Sequence, residues 1–344
     1  MGPRLFQFRH GETAYSIRAL PIGGFCAFEG ETGEQPEPAL AEPQAHKRRW
    51  WEKDQKKEEP QPARVYDEHS YCRQPFWKRL IVLVMGGVMN IAFGLVLMGI
   101  LLAPQEMFAS TTISKFAENS PMQQAGLQPG DRLASIDGYK IRTDMDVSVA
   151  LTLANPESVD IVVDRKGEER AFQNVRLPST EVNGRKVVQM DFYVLPVKKT
   201  PGTFLQKTFA DTYSVERMVL TSLKGLITGR FGLNDVSGPV GMAQVITQNA
   251  SAGLQHGFGT AVGNIVYAIM IITVNLGIVN LLPIPGLDGG KILFVVIEAI
   301  RRKPISYKYQ TVIEAGFMAA LVGFMVLVTI SDVMRLATGT GLGG

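Results

Sequence analysis

The residues of this chain whose types and spacing could do chemistry are gathered in Asn280-Leu281-Leu282-Pro283-Ile284-Pro285-Gly286-Leu287-Asp288-Gly289-Gly290, inside an otherwise mostly apolar run over 265–300. Asp288 is the only acidic residue between Asp235 and Glu298. Two prolines remove backbone donors and the glycines are poor helix formers, so a helix through this run must break here. Broken backbone at membrane depth is tolerated only where it is buried in protein or lines a cavity. An ionisable carboxylate in that setting is a functional-site candidate by default. The plain alternative is an aqueous loop between two membrane helices, with Asp288 simply solvated.

The elements that must hold this stretch are membrane helices. Residues 77–103 read as the first: 80–103 is apolar except for Asn90, enough to span a bilayer core of about 30 Å. Trp77, Lys78 and Arg79 form an aromatic and positive border that places this end in the cytosol. Gly86-Gly87 allow close packing, and Asn90 reads as a polar contact between helices in preference to a reacting group. Residues 260–282 span again, interrupted by Asn264, Asn275 and Asn280. Residues 283–303 carry the Leu-Asp-Gly stretch and a short amphipathic helix over 291–300. That helix ends in Arg301-Arg302-Lys303, which marks the cytosolic side again. A third span, 311–331, has Glu314 near its start and leaves Ser331-Asp332 on the far side.

Between the spans lie soluble stretches. Residues 1–28 read as two short alternating strands around His10-Gly11-Glu12, closed by Pro21-Ile22-Gly23-Gly24. The hairpin is either an ordinary solvent-side unit or, since its second half is so apolar, one associated with the membrane. Residues 29–76, rich in proline and charge, read as a flexible cytosolic loop, with Trp50-Trp51 at an interface or packed locally. Residues 113–197 form a separate α+β unit. Ala125-Gly126-Leu127-Gln128-Pro129-Gly130-Asp131 runs into a turn, Ile136-Asp137-Gly138 ends a strand, and 144–155 is a helix or strand. Residues 159–168 are a strand and hairpin turn, and 186–193 another strand. Residues 198–259 are amphipathic and extracytoplasmic, interrupted by Ser237-Gly238-Pro239-Val240-Gly241.

The 344 residues are 46% hydrophobic and 19% charged with a formal net charge of +3, which fits membrane segments joined to soluble ones in two or three units. No concentrated basic face speaks for nucleic acid. Cys26 and Cys72 are too few for a disulfide framework or a cysteine-based zinc site. The start, Met1-Gly2-Pro3-Arg4, shows no signal peptide.

The 113–197 unit resembles a PDZ domain on its Ala125–Asp131 and Ile136–Gly138 pieces, either binding an extended peptide at a sheet edge or only shielding its neighbours. Together with Asn280–Gly290, Ser237–Gly241 and Gly86-Gly87-Val88-Met89-Asn90, it makes the chain resemble the bacterial site-2 proteases, most closely the RseP-type intramembrane zinc metalloproteases with one PDZ domain. The fold implied is a polytopic α-helical membrane protein of about three membrane helices, with an inserted α+β PDZ domain and an N-terminal membrane-reentrant β-hairpin. The implied location is the bacterial cytoplasmic membrane, with the PDZ domain outside and the Leu-Asp-Gly motif near the cytosolic side. Partners would be the lipid bilayer, single-span membrane-embedded substrates such as anti-sigma factors or signal-peptide remnants, and a peptide at the PDZ domain.

The resemblance implies zinc held by two histidines of an H-E-x-x-H helix and one aspartate, with a fourth position for water and the glutamate as general base. Asp288 matches the aspartate ligand. Asn280, Pro283, Pro285 and Gly289 fall on the substrate side, the prolines chiefly by shaping the loop. His10, His46, His69 and His256 are the only histidines, and no two lie four apart, so no catalytic residue is assigned in this chain. The resemblance places Met1 at an interior position of the family, as though a first membrane helix were absent through a late start codon or an incomplete gene. The chain alone is therefore expected to bind no catalytic zinc and to cleave nothing. A non-catalytic pseudoprotease that binds membrane proteins is the alternative. A transporter or scaffold ranks last, since no internal repeat is visible.

Overall fold

The computed structural model describes residues 4–10, 13–18, 71, 74–182, 185–230, 232, 236–303 and 305–338. The Pro21–Gly24 closure, Cys26, Cys72, Trp50-Trp51, His46, His69 and nearly all of the charged loop lie outside them. Among the described residues three helices are long and apolar enough to cross a membrane: Phe76–Leu102, Phe258–Leu281 and Tyr309–Ala337. With the antiparallel sheet region between the first two, they make a polytopic membrane protein with an inserted β domain.

The chain begins with the hairpin β1 (Arg4–His10) and β2 (Thr13–Arg18). Its register sets Phe8 opposite Tyr15 and Phe6 opposite Ile17, which puts four exposed apolar side chains on one face, with Phe8 stacked on Tyr15 at 5.0 Å. The first membrane-length helix, α1 (Phe76–Leu102), follows. Its 27 residues give about 40 Å of rise, more than the bilayer core requires.

The sheet domain comprises β3 (Met107–Phe116), α2 (Pro121–Gln124), β4 (Arg132–Ile136), β5 (Tyr139–Lys140), α3 (Asp144–Leu153), β6 (Val159–Arg165), β7 (Glu168–Val175), β8 (Ser179–Val182), β9 (Arg185–Val188) and β10 (Phe192–Lys198). The main sheet runs β10-β3-β4-β6-β7 with β5 paired to β4, and β8-β9 is a separate ribbon. Alternation along β6 sends Val159, Ile161 and Val163 into the core, where they meet Ile113, Leu133 and Ile136 beneath α3. The Gly130-Asp131 turn is locked from a distance: Arg165 on β6 holds both carboxylate oxygens of the buried Asp131 at 2.7 Å.

The strand expected over 186–193 is instead two strands, β9 and β10, broken at Gln189–Asp191. Asp191 turns inward and accepts hydrogen bonds from Ser120 Oγ at 2.5 Å and Met122 N–H at 3.3 Å. A buried carboxylate needs such donors, and reaching them interrupts the ladder.

Two further helices lead back to the membrane, α4 (Pro201–Ile227) and α5 (Pro239–Gln255). They are followed by α6 (Phe258–Leu281), α7 (Asp288–Arg301) and α8 (Tyr307–Thr338). Small residues bring α1 and α6 together: a Cβ on Gly87 would lie 2.5 Å from Leu281 Cγ, and one on Gly277 2.9 Å from the Gly87 carbonyl. Asn90 belongs to the same contact, its Cβ 3.1 Å from the position a Gly277 side chain would take. A second core joins Met98 and Leu102 of α1, Val215 and Val219 of α4, and Met270 and Val274 of α6.

The sheet domain is tied to α4 by buried charge. Asp146 is wholly buried, closes a capping box with Thr143, and receives Arg217 of α4 at 3.2 Å. The Arg217 guanidinium also lies 4.5 Å from the Tyr139 ring centre. Beside this pair, Lys207 bridges Asp144 and Asp211, and Thr143 Oγ1 meets Ser214 Oγ at 3.0 Å. Burial pushes the Asp211 carboxyl up to about 6 from its ordinary 3.8, against the pull of Lys207.

Arg217→Ala leaves Asp146 buried without its cation and is expected to destabilise the sheet domain by about 2–3 kcal/mol. Pairing it with Asp146→Asn in a double-mutant cycle read by thermal unfolding should recover much of that loss, and additive effects would count against the coupling. For Asp211, the folded-state pKa lies above the unfolded one. The folded chain therefore keeps a proton between about pH 4 and 6 that the unfolded chain has released, so this carboxyl's contribution to stability falls as pH rises through that window. Asp211→Asn should flatten the unfolding profile there, and an unchanged profile would exclude the carboxyl as its source.

Candidate functional site

The apolar run breaks between α6 and α7, and the break is short. Leu282 is extended, Ile284 N–H donates to the Leu282 carbonyl at 2.7 Å, and Leu287 N–H donates to the Ile284 carbonyl at 3.1 Å. Gly286 adopts φ +94°, a left-handed turn open to glycine, and faces α8 near Met318 and Glu314. The second helix was expected from 291, but it begins at Asp288, so the glycine pair is helical. The reason is tertiary. A Cβ on Gly289 would lie 2.0 Å from the Leu282 carbonyl oxygen, and one on Gly290 2.4 Å from that of Ile284. Only glycine lets the first turn of α7 cross its own incoming loop this closely.

Asp288 therefore stands in the first helical turn, where the helix dipole favours a negative charge. It is half-buried and faces α1: its Oδ2 lies 3.2 Å from where a Gly86 Cβ would be. Gly86 thus leaves room around the carboxylate, and Asn90 follows one turn further along the same face of α1. Among the described residues the Asp288 carboxylate accepts no hydrogen bond and pairs with no cation.

Asn280 is half-buried on the last turn of α6, Pro283 is exposed, Pro285 is half-buried, and Gly289 is buried against Leu282. Pro283 and Pro285 lie within the break that presents Asp288, and Asn280 and Gly289 stand on either side of it. His256 lies at the C-terminus of α5, just before α6 starts, whereas Asp288 follows the other end of α6. The 24 residues of α6 put about 35 Å between those ends. His10 has no described side chain. Among the described residues no group of three His, Cys, Asp or Glu stands together as a metal site. A half-buried carboxylate with no partner among the described residues suits one oxygen ligand of zinc. The described residues do not supply the remaining ligands, so no reaction step follows from them alone.

Three residues of the helical portion hold roles that their local sequence does not announce. Gly86 reads along the chain as a packing glycine, whereas in the fold it leaves room for the Asp288 carboxylate. Asp332, expected on the far side of the last span, lies within α8 and is 1% exposed. Its Oδ2 accepts the Gly241 N–H at 2.8 Å, and a Cβ on Gly238 would meet the same oxygen at 2.8 Å. The Ser237–Gly241 stretch is thus the start of α5 seated on α8, with one of its open amides, that of Gly241, answered by a buried carboxylate. Glu298 receives Arg79 of α1 at 3.0 Å and the Ile305 N–H at 3.0 Å, which joins the two basic borders, 77–79 and 301–303, at one end of the bundle.

Comparison with known proteins agrees with this arrangement. The model of Peptidase family M50 matches residues 1–324. A Clostridium perfringens (strain 13 / Type A) protein, provisionally named zinc metalloprotease CPE1693, is 32% identical over 336 residues, covering 97% of this chain and 88% of its own. The regulator of sigma-W protease RasP of Bacillus subtilis (strain 168) is 29% identical over 388 residues, covering 97% of this chain and 90% of its own. The zinc metalloprotease RasP of Shouchella clausii (strain KSM-K16) is 29% identical over 393 residues, covering 98% and 90%. A match that takes in both the helix pair around the break and the inserted sheet domain leaves no ambiguity of family: this chain belongs to peptidase family M50, the site-2 proteases of RseP type.

Proposed function

We propose that this chain carries the aspartate half of an intramembrane zinc metalloendopeptidase, with Asp288 as the carboxylate ligand. The observation that carries the reading is the Asp288 carboxylate, which has no partner among the described residues and is held at the start of α7 facing the gap at Gly86. When bound, zinc supplies an activated water and a Lewis acid for the peptide carbonyl. The chain's own residues shape the place where that happens. The 282–287 break exposes backbone groups that can hold an unwound substrate strand, Asn280 contacts that strand, and Pro283, Pro285 and Gly289 set the loop's course. Neither the two histidines nor the glutamate of H-E-x-x-H occurs in these 344 residues, so hydrolysis requires that element to be supplied in addition.

The substrates on this reading are single-span membrane proteins, anti-sigma factors or signal-peptide remnants. A relative named for regulating sigma-W supports the first class. The location is the cytoplasmic membrane of a bacterium. The Arg79–Glu298 pair supports a single basic border on the cytosolic side, near the Leu-Asp-Gly motif, with the sheet domain outside. The sheet domain is a PDZ domain. Its edge strand β10, with Tyr193, Leu195 and Val197 exposed, is where an extended peptide adds. The apolar face of the β1–β2 hairpin contacts the membrane.

Metal analysis of the purified chain is expected to find far less than one tightly bound zinc per chain. Stoichiometric zinc would show that these residues complete a site by themselves. In a form extended to include an H-E-x-x-H helix, Asp288→Ala should abolish both zinc retention and cleavage of a membrane substrate while expression persists. That loss should exceed the roughly 10–100-fold that follows removal of a merely supporting group. Retained zinc and cleavage would remove Asp288 from the metal site.

A further inference from the structure

We propose that the cleft where the start of α1 meets the end of α7 binds the phosphodiester headgroup of an anionic phospholipid. The cavity there is about 240 Å³, and its charged lining is Arg79, Glu298, Arg302 and Lys303, with Phe76 and Val295 on its apolar wall. Three cations against one carboxylate leave an excess of two positive charges. Glu298 is already engaged on both oxygens, by Arg79 and by the Ile305 N–H. Arg79 is further held over the Tyr71 ring at 5.4 Å. These contacts make a rigid wall. Arg302 and Lys303 are exposed, and among the described residues no acidic group pairs with either.

Two plainer explanations account for only part of this. A helix dipole rewards cations in the last turn of α7, and Arg301 meets that need. Topological orientation asks for basic residues near a span but not for a cavity with an apolar wall. Arg302 also caps α7 in a left-handed conformation, φ 53°, where glycine or asparagine would sit with less strain. An arginine held there lines the cleft and stays exposed. The site lies where the first membrane-length helix begins, with Trp77 69% exposed and packed edge-on against Phe76 at 4.9 Å, as aromatic residues pack at a headgroup boundary. Basic pockets between helices at a membrane border are suited to anionic headgroups, and the apolar wall favours a lipid over a free anion.

The test uses the full chain reconstituted in nanodiscs of mixed phosphatidylglycerol and phosphatidylcholine, with the lipid carried through detergent extraction measured by mass spectrometry. Wild type is expected to retain phosphatidylglycerol in preference. The Arg302→Gly, Lys303→Gln double variant should lose at least about tenfold of that preference. Glycine at 302 relieves the positive φ, so a folding defect would not explain the loss. Lys78→Gln with Arg301→Gln removes two cations from the same border outside the cleft and should leave the preference intact. Equal loss from both double variants, no preference in wild type, or displacement of the lipid by excess inorganic phosphate would each overturn the proposal, the last by showing a small-anion site.

Discussion

The contact on which the membrane portion depends is one backbone crossing another. The Leu282 carbonyl lies 2.0 Å from the place a Cβ of residue 289 would occupy, so the loop leaving α6 and the first turn of α7 touch without any side chain between them. This lets the chain stop one helix and start the next within six residues, 282–287, inside an apolar environment that punishes open backbone. It also sets the direction of α7 and thereby the direction of Asp288. The glycines of α1 extend the same logic to a second helix: Gly87 admits α6 and Gly86 leaves space for the carboxylate. Site and scaffold are built from the same missing methyl groups.

Outside the membrane the structure relies on charge. Asp146, Asp211 and Lys207 are largely removed from water, and each has a partner. Such pairs add little net stability over apolar packing, because desolvation offsets most of their attraction, but breaking one leaves an uncompensated charge. Their consequence is geometric. An apolar surface could slide along α4, whereas Arg217 on Asp146 and Lys207 between Asp144 and Asp211 admit one register. Since α4 also packs on α1 and α6 in the second core, the sheet domain is set at a defined position relative to the helices that present Asp288. Asp332 plays a similar part at the opposite joint, seating the start of α5 on α8.

Much of the candidate site can be read along the chain. Prolines 283 and 285 and the glycines after Gly286 announce a broken helix, and an isolated Asp288 announces an ionisable group with a reason to be there. The start of α7 is where local reasoning stops short. Glycine propensity assigns 289 and 290 to a loop, yet they are helical, and they are glycine because the crossing loop leaves no room for a side chain. The strand expected over 186–193 fails for a related reason: Asp191 is drawn out of the ladder by donors some seventy residues earlier, Ser120 and Met122.

What the sequence alone determined is what depends on neighbours along the chain: the apolar lengths of α1, α6 and α8, the position of the break, and the basic residues at 77–79 and 301–303. What only the tertiary structure decided is which polar groups are buried and by what they are answered. Asp332 sits at the end of an apolar stretch and reads locally as its exit to water, but the amide that needs it is on Gly241. Glu298 reads as the polar face of a short helix, but its partner is Arg79 on another helix. Hydropathy and propensity are properties of a residue and its immediate chain. The partner of a buried charge is a property of the folded arrangement, and here it lies tens to hundreds of residues away.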